Sequence, residues 1–369
     1  MTRLDRYVLR EVALPFLFSL VAVIVLVFLL QANNLAGAAL GLAISLEDIV
    51  VILSAALPPF LVLAVPMAYL ASVVVGLVRL SGDLEVGAML AAGASPMRIA
   101  RAPIALGLAV TLLTLPVAHV LQPLGLVSLR TRLIDVALRN MTQAVEPGTF
   151  REDLGGVALY AESIEGETLE SVLLYDERDP KAPVLVLANT ARLVPRWVEG
   201  RSPIIEVELE DGEMHLEQSG EGERYDRVLF ARARLALDAE RELRERTRFV
   251  SDLQQMRSEE LLAESERRGP SDLTGRRMER DYWRRFAFPA MSLVFALLGA
   301  AIAMGAERSA RARAALVSIV TVVAYYLTTR VGDTMVLRGT GTPFIAAMGP
   351  NLLFLALGLG ALWVRGRAR

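Results

Sequence analysis

Six long apolar runs constrain this chain more than any other feature. Uncharged runs occupy residues 12–32, 49–78, 102–129, 286–306 and 339–364; a sixth, 314–329, extends to about 336 if Arg330 and Asp333 are tolerated. A helix needs roughly 20 apolar residues to cross a bilayer. Inside the bilayer a helix satisfies its own backbone polar groups. The expected fold is therefore a membrane protein of six transmembrane helices, three before and three after a polar segment at 130–285. Three parts follow: 1–129, 130–285 and 286–369.

Arginine placement orients the helices, because short cytoplasmic loops carry positive charge. Arg3, Arg6, Arg10, Arg79, Arg98, Arg101, Arg308, Arg311, Arg313, Arg365, Arg367 and Arg369 would share one side, against Arg330 and Arg338 on the other. Both termini are then expected in the cytoplasm and the 130–285 segment outside. The chain has no cysteine, which excludes disulfides and thiolate chemistry.

Within 130–285 the pattern changes to period two. Residues 156–163, 171–177, 183–194, 204–217 and 225–238 alternate apolar and polar side chains, as half-buried strands do. Turn-rich stretches at 165–167, 176–183, 198–203 and 219–223 separate them. A β-sandwich, jelly roll or open barrel is expected, its Val, Leu and Ile interior either a packed core or an acyl slot, with the packed core favoured. Residues 239–285 are charged and helix-forming, broken at Gly269-Pro270. They end in GRRMERDYWRRF, whose aromatic and Arg side chains suit an interface.

Between the second and third runs lies SGDLEVGAMLAAGASPMRIAR, residues 81–101. A short helix is expected at about 82–94. Asp83 and Glu85 favour its first turn through the helix dipole. Gly93 suits the left-handed position that ends a helix. Ser95 and Pro96 suit the cap and first residue of the next one. With an exposed Met/Leu face, this helix has the form of a cytoplasmic lever on which another protein could push. The alternative is an interfacial helix that only reverses the chain.

Catalytic signatures do not occur. No G-x-x-x-x-G-K-[ST] surrounds the single lysine, Lys181, and His119 and His215 lie outside any H-E-x-x-H. No Rossmann glycine pattern follows a strand. The expectation is a moving part without a catalytic site, metal or cofactor. Arg330 and Asp333 lie one turn apart near the outer end of a span; intramembrane charges face each other or a cavity. They read as a local ion pair, or Arg330 faces an anionic substrate.

Several stretches together resemble the lipopolysaccharide-export permeases LptF and LptG. They are LDRYVLREVALPF at the start, the pattern from Glu85 through Met89, Gly93 and Ser95 to Arg98, EPGTF, ANTARLV, LEDGEMH, RRFAFP and GPNLLF. The likeness covers nearly the whole chain. It implies a six-helix permease with an inserted periplasmic β-jellyroll domain, in the inner membrane. It further implies pairing with a second LptF/LptG-type subunit on a cytoplasmic ABC ATPase dimer. The pair takes lipopolysaccharide from the bilayer and passes it to a periplasmic bridge protein of similar fold. Nothing points to nucleic acid.

By the same resemblance, Glu85 is the acidic lever residue that meets an Arg of the ATPase. Asp83, Leu84, Met89, Gly93, Ser95 and Arg98 complete the coupling set. Some members carry lysines near the cavity mouth on the first helix; residues 11–48 here hold no basic side chain. Substrate contact is then left to Arg330 with Asp333, to Arg284 and Arg285 of the 276–285 cluster, or to the partner subunit. Other ABC-linked machines, for lipoprotein release or mechanotransmission, share a lever and an external domain but fit a four-helix plan. A membrane receptor for a periplasmic ligand would need a folded cytoplasmic output domain, for which these loops are too short.

Overall fold

The computed structural model describes residues 2–39, 45–143, 147–150, 156–166, 168–179, 183–196, 204–218, 224–237, 252–304 and 311–367. Six of its helices are long and apolar enough to span a membrane. In chain order the elements are α1 (Arg3–Ala39), α2 (Leu46–Gly82), the short α3 (Glu85–Ala91), α4 (Pro96–Pro116), a π-helical turn (Val117–Leu121) and α5 (Gln122–Gln143). Strands β1 (Val157–Glu165), β2 (Thr168–Asp176), β3 (Val184–Arg196), β4 (Ile204–Gln218) and β5 (Arg224–Leu237) follow. The chain returns through α6 (Asp252–Gln255), α7 (Ser258–Arg268), α8 (Leu273–Ala303), α9 (Arg311–Leu337) and α10 (Pro343–Arg367).

Two compact units emerge. One comprises Met1–Ala36, Leu53–Leu129 and Ser251–Arg369; the other comprises Gly37–Ile52 and Arg130–Val250.

The spanning helices overrun the apolar runs at their polar ends. Helix α1 starts at Arg3, well before the apolar run that opens at residue 12, because Thr2 and Asp5 cap it reciprocally: Asp5 N–H donates to Thr2 Oγ1 and Thr2 N–H to Asp5 Oδ2. Helix α8 starts at Leu273, with Asp272 accepting from the Gly275 N–H at 2.8 Å, so the Arg-rich stretch belongs to the span. The break at Gly269 is present, with a positive φ (+80°) that suits glycine.

In the membrane unit the core gathers on α8 against α2, α4 and α10. Helices in lipid gain little from hydrophobicity and associate by close packing and buried hydrogen bonds. Here a Cβ on Gly107 would lie 3.1 Å from the Ser292 carbonyl oxygen, and one on Gly299 would lie 2.8 Å from Val73. The polar clasps go to backbone carbonyls. Thr111 donates to Pro289 O (3.0 Å), Asn351 Nδ2 to Ala287 O (2.7 Å), and buried Tyr69 to Pro103 O.

In the second unit the strands form one antiparallel meander, β1-β2-β3-β4-β5. The five expected strands are all present. Their inner face buries Leu159, Leu174, Val186 and Leu209 among others, a packed core. A crease crosses the whole sheet. Glu162, Ser171, Asn189, Asp211 and Ala231 form a transverse row in which no pair bridges, although the register is the same on both sides.

At that row the inward positions step by three instead of two: Ala161 to Ile164, Leu169 to Val172, Ala188 to Ala191, Phe230 to Ala233. Ser171 and Asp211 take positive φ (50° each), which turns the backbone through the corner. Beside Asp211, only glycine fits at Gly212: a Cβ there would meet Leu187 O at 2.2 Å. The connections at 198–203 and 219–223, and the charged residues 238–251, lie outside the described residues.

Arg178 pins the end of β2. It donates to Asp176 and, at 2.8 Å, to Ala236 O on β5, which is not its neighbour in the sheet. Those hydrogen bonds hold the Asp176 carboxyl below the usual carboxylate range.

Candidate functional site: helix α3 and a charge cluster between spans

The segment after α2 is built as a stiff piece between two corners. Asp83 lies in the turn, not in the helix as expected, because Leu84 adopts a left-handed conformation (φ +62°) that separates α2 from α3. The far corner is a Schellman arrangement: Gly93 (φ +87°) donates to Leu90 O at 3.1 Å and Ala94 to Met89 O at 3.0 Å. Ser95 then caps α4, its Oγ accepting the Arg98 N–H at 3.2 Å, with Pro96 first in the helix.

The faces of α3 are the reverse of the expected Met/Leu surface. Val86 is buried, and Met89 and Leu90 pack onto the membrane-unit core. The outward face is Leu84 (61% exposed), Gly87, Ala88 and Ala91. Met89 therefore seats α3 on the spans instead of facing outward. Glu85 is half-buried beside the Tyr7 hydroxyl, while Asp83 and Arg98 are exposed. The root is fixed twice: Ser81 Oγ donates to Ala303 O at the end of α8 (3.0 Å), and Arg79 pairs with Glu11 (3.0 Å). Helix α3 thus presents a shallow apolar face with carboxylates at its edge.

The second cluster sits where α8 meets α9. Asp333 accepts from Arg280 (3.0 Å) and Arg284 (2.5 Å), and Arg330 approaches its other oxygen at 3.5 Å. Asp281 faces Arg280 at 2.8 Å. Three guanidiniums meet two carboxylates, which leaves one positive charge in excess. That excess is carried outward by Arg330, 62% exposed, whose guanidinium lies over the Tyr326 ring and donates to its hydroxyl. The ion-pair reading of Arg330 and Asp333 is what the geometry shows, with the Arg330 guanidinium exposed at its edge.

Arg285 does not join this cluster. Successive residues of a helix point about 100° apart, and Arg285 turns to the α6–α7 elbow. There it is 5% exposed and donates to Ser258 Oγ (2.8 Å), Met256 O (2.6 Å) and Gln254 O (3.3 Å). Neither this elbow nor its hydrogen bond to His119 is legible in the residue pattern. Alternate Arg residues of one basic run serve different neighbours.

Six helices of spanning length, interrupted by an antiparallel β-sheet domain and with a short helix between the second and third, define a polytopic membrane protein. The family described as lipopolysaccharide export system permease LptF/LptG matches residues 6–364, and the chain belongs to it. It is a multi-pass inner-membrane protein. No curated protein matches the chain.

Proposed function

We propose that this chain is one half of an ATP-driven lipopolysaccharide exporter, with hydrolysis carried out by a separate ATPase dimer that pushes on α3 from the cytoplasm. The observation that carries the reading is the lever's build. Two left-handed corners isolate a seven-residue helix, its inner face is packed into the spans, and its outer face is small and apolar with Asp83 and Glu85 at the rim. A carboxylate at such a rim suits a charge-assisted contact with an Arg donor, and a rigid seat lets a small push move packed helices as bodies.

On this reading a second LptF/LptG-type subunit closes the cavity, Arg330 meets a phosphate of the lipid, and the β domain hands the lipid to a periplasmic bridge protein. Both termini are cytoplasmic.

The test is Glu85→Arg in the assembled complex. ATPase co-purification or ATP-dependent lipopolysaccharide release should fall by roughly tenfold or more, as expected when an interfacial charge is reversed. Unchanged co-purification together with unchanged release would remove α3 as the coupling point.

A further inference from the structure

We propose that the π-helical turn Val117–Leu121, held by a His119–Ser258–Arg285 node, is the joint at which the third span bends during transport. The inference rests on the reading of α3 as the lever. Helix α4 starts at the Ser95 cap directly after α3, so displacement of α3 reaches it first.

The helix changes character at Pro116. The next turn is π-helical, with Gln122 N–H reaching back to Val117 O. Pro116 and Pro123 flank this turn, and neither has an N–H to give to the ladder. Such turns are uncommon in helices and recur at functional positions.

The two halves of the helix also have different neighbours. Before the turn, α4 is locked to α8 and to the second half of α2: Thr111 donates to Pro289 O, Tyr69 to Pro103 O, and Gly107 lies against Ser292, Ala296 and Tyr69. After the turn, Gly125 of α5 approaches α2, where a Cβ would meet Ala55 O at 2.6 Å. Pro58, Pro59 and Pro66 of α2 lie between its contact with Gly125 and its contact with Gly107, so if these two stretches of α2 shift against each other the strain falls on residues 117–121.

The node spans this soft turn. His119 Nδ1 and Arg285 Nη1 both lie 2.8 Å from Ser258 Oγ. A guanidinium can only donate, so Ser258 accepts from Arg285 and is free to donate its own proton to His119 Nδ1. The neutral ring then carries its proton on Nε2. That atom is buried without a partner among the described residues, and the ring lies edge-on to Phe286 at 4.4 Å. An unmet buried donor is costly, which makes this arrangement one that is readily exchanged for another. Because Ser258 is the first residue of α7, the node fastens the returning chain to the bend.

The chain has no cysteine, so thiols introduced here are unique in it. In the assembled exporter, a His119→Cys, Ser258→Cys pair is joined by a short reducible bifunctional thiol reagent. Linking should lower ATP-driven lipopolysaccharide release by roughly tenfold, as clamping a rate-setting conformational step does, while hydrolysis continues; reduction should restore release. Equal release before and after linking overturns the joint. Should the pair be inactive before linking, the Ser258→Cys variant alone decides by thiol labelling. Labelling severalfold faster during turnover supports the joint, and labelling at one rate throughout the cycle overturns it. Failure of the unaltered assembly to release lipid with ATP would instead strike the export reading itself.

Discussion

Helices α8 and α1 are both long and apolar, yet the chain buries 72% of the spanning window of α8 and 6% of that of α1. Their compositions differ in the same sense. The second half of α8 is rich in Ala, Gly and Ser, the residues that let helices approach closely in lipid. Helix α1 is lined all round by large side chains, and Leu14, Leu17, Phe18, Val21, Val25 and Leu29 are exposed. It is seated near its start, at Val8, Val12 and Phe16, where Gly76 of α2 lies against Glu11 O. Hydropathy runs opposite to burial, since the less buried α1 is the more apolar of the two. The size of the side chains separates them: small residues mark the faces covered by protein of the same chain, and large ones mark faces left to lipid or to another subunit.

This contrast can be broken by substitution. Gly299→Leu should be the most damaging, since a side chain there meets Val73 and Leu70 at once. Overpacking of this kind costs about 2–3 kcal/mol and should lower the thermal midpoint of the detergent-solubilised protein by several degrees. Asn351→Ala comes next: it removes the bonds to Ala287 O and from the Tyr325 hydroxyl in a buried site. Its cost should be about 1–2 kcal/mol, read in the same assay. Leu17→Ala on α1 should change the midpoint of the isolated chain by less than about 0.5 kcal/mol equivalent. A loss at Leu17 as large as that at Gly299 would mean that α1 is packed after all, and the contrast would fall.

Much of the architecture is legible in the sequence, because two periodicities carry it. Apolar length marks the spans, and alternation marks the strands. The boundaries that escape have local causes. Residues 3–10 look too charged to belong to a span, but Thr2 and Asp5 cap a helix there. The second strand reads as starting at Ser171 although it starts at Thr168, because the crease breaks the alternation that marks it. On the lever, the caps at Gly93 and Ser95 follow from residue type. The direction of Met89 does not, since the left-handed turn at Leu84 sets the rotation of α3. The charge cluster is half-legible: Arg330 and Asp333 sit close in sequence, whereas Arg280 and Arg284 reach them only through the packing of α8 on α9.

The crease has a consequence for how such a sheet can change over generations. All five strands skip a beat at the same row, so a residue deleted from one strand would turn its remaining half inside out against neighbours that kept their phase. Point substitutions can drift along the strands one at a time. Insertions and deletions can only be absorbed in the connecting turns, or must arrive in every strand together.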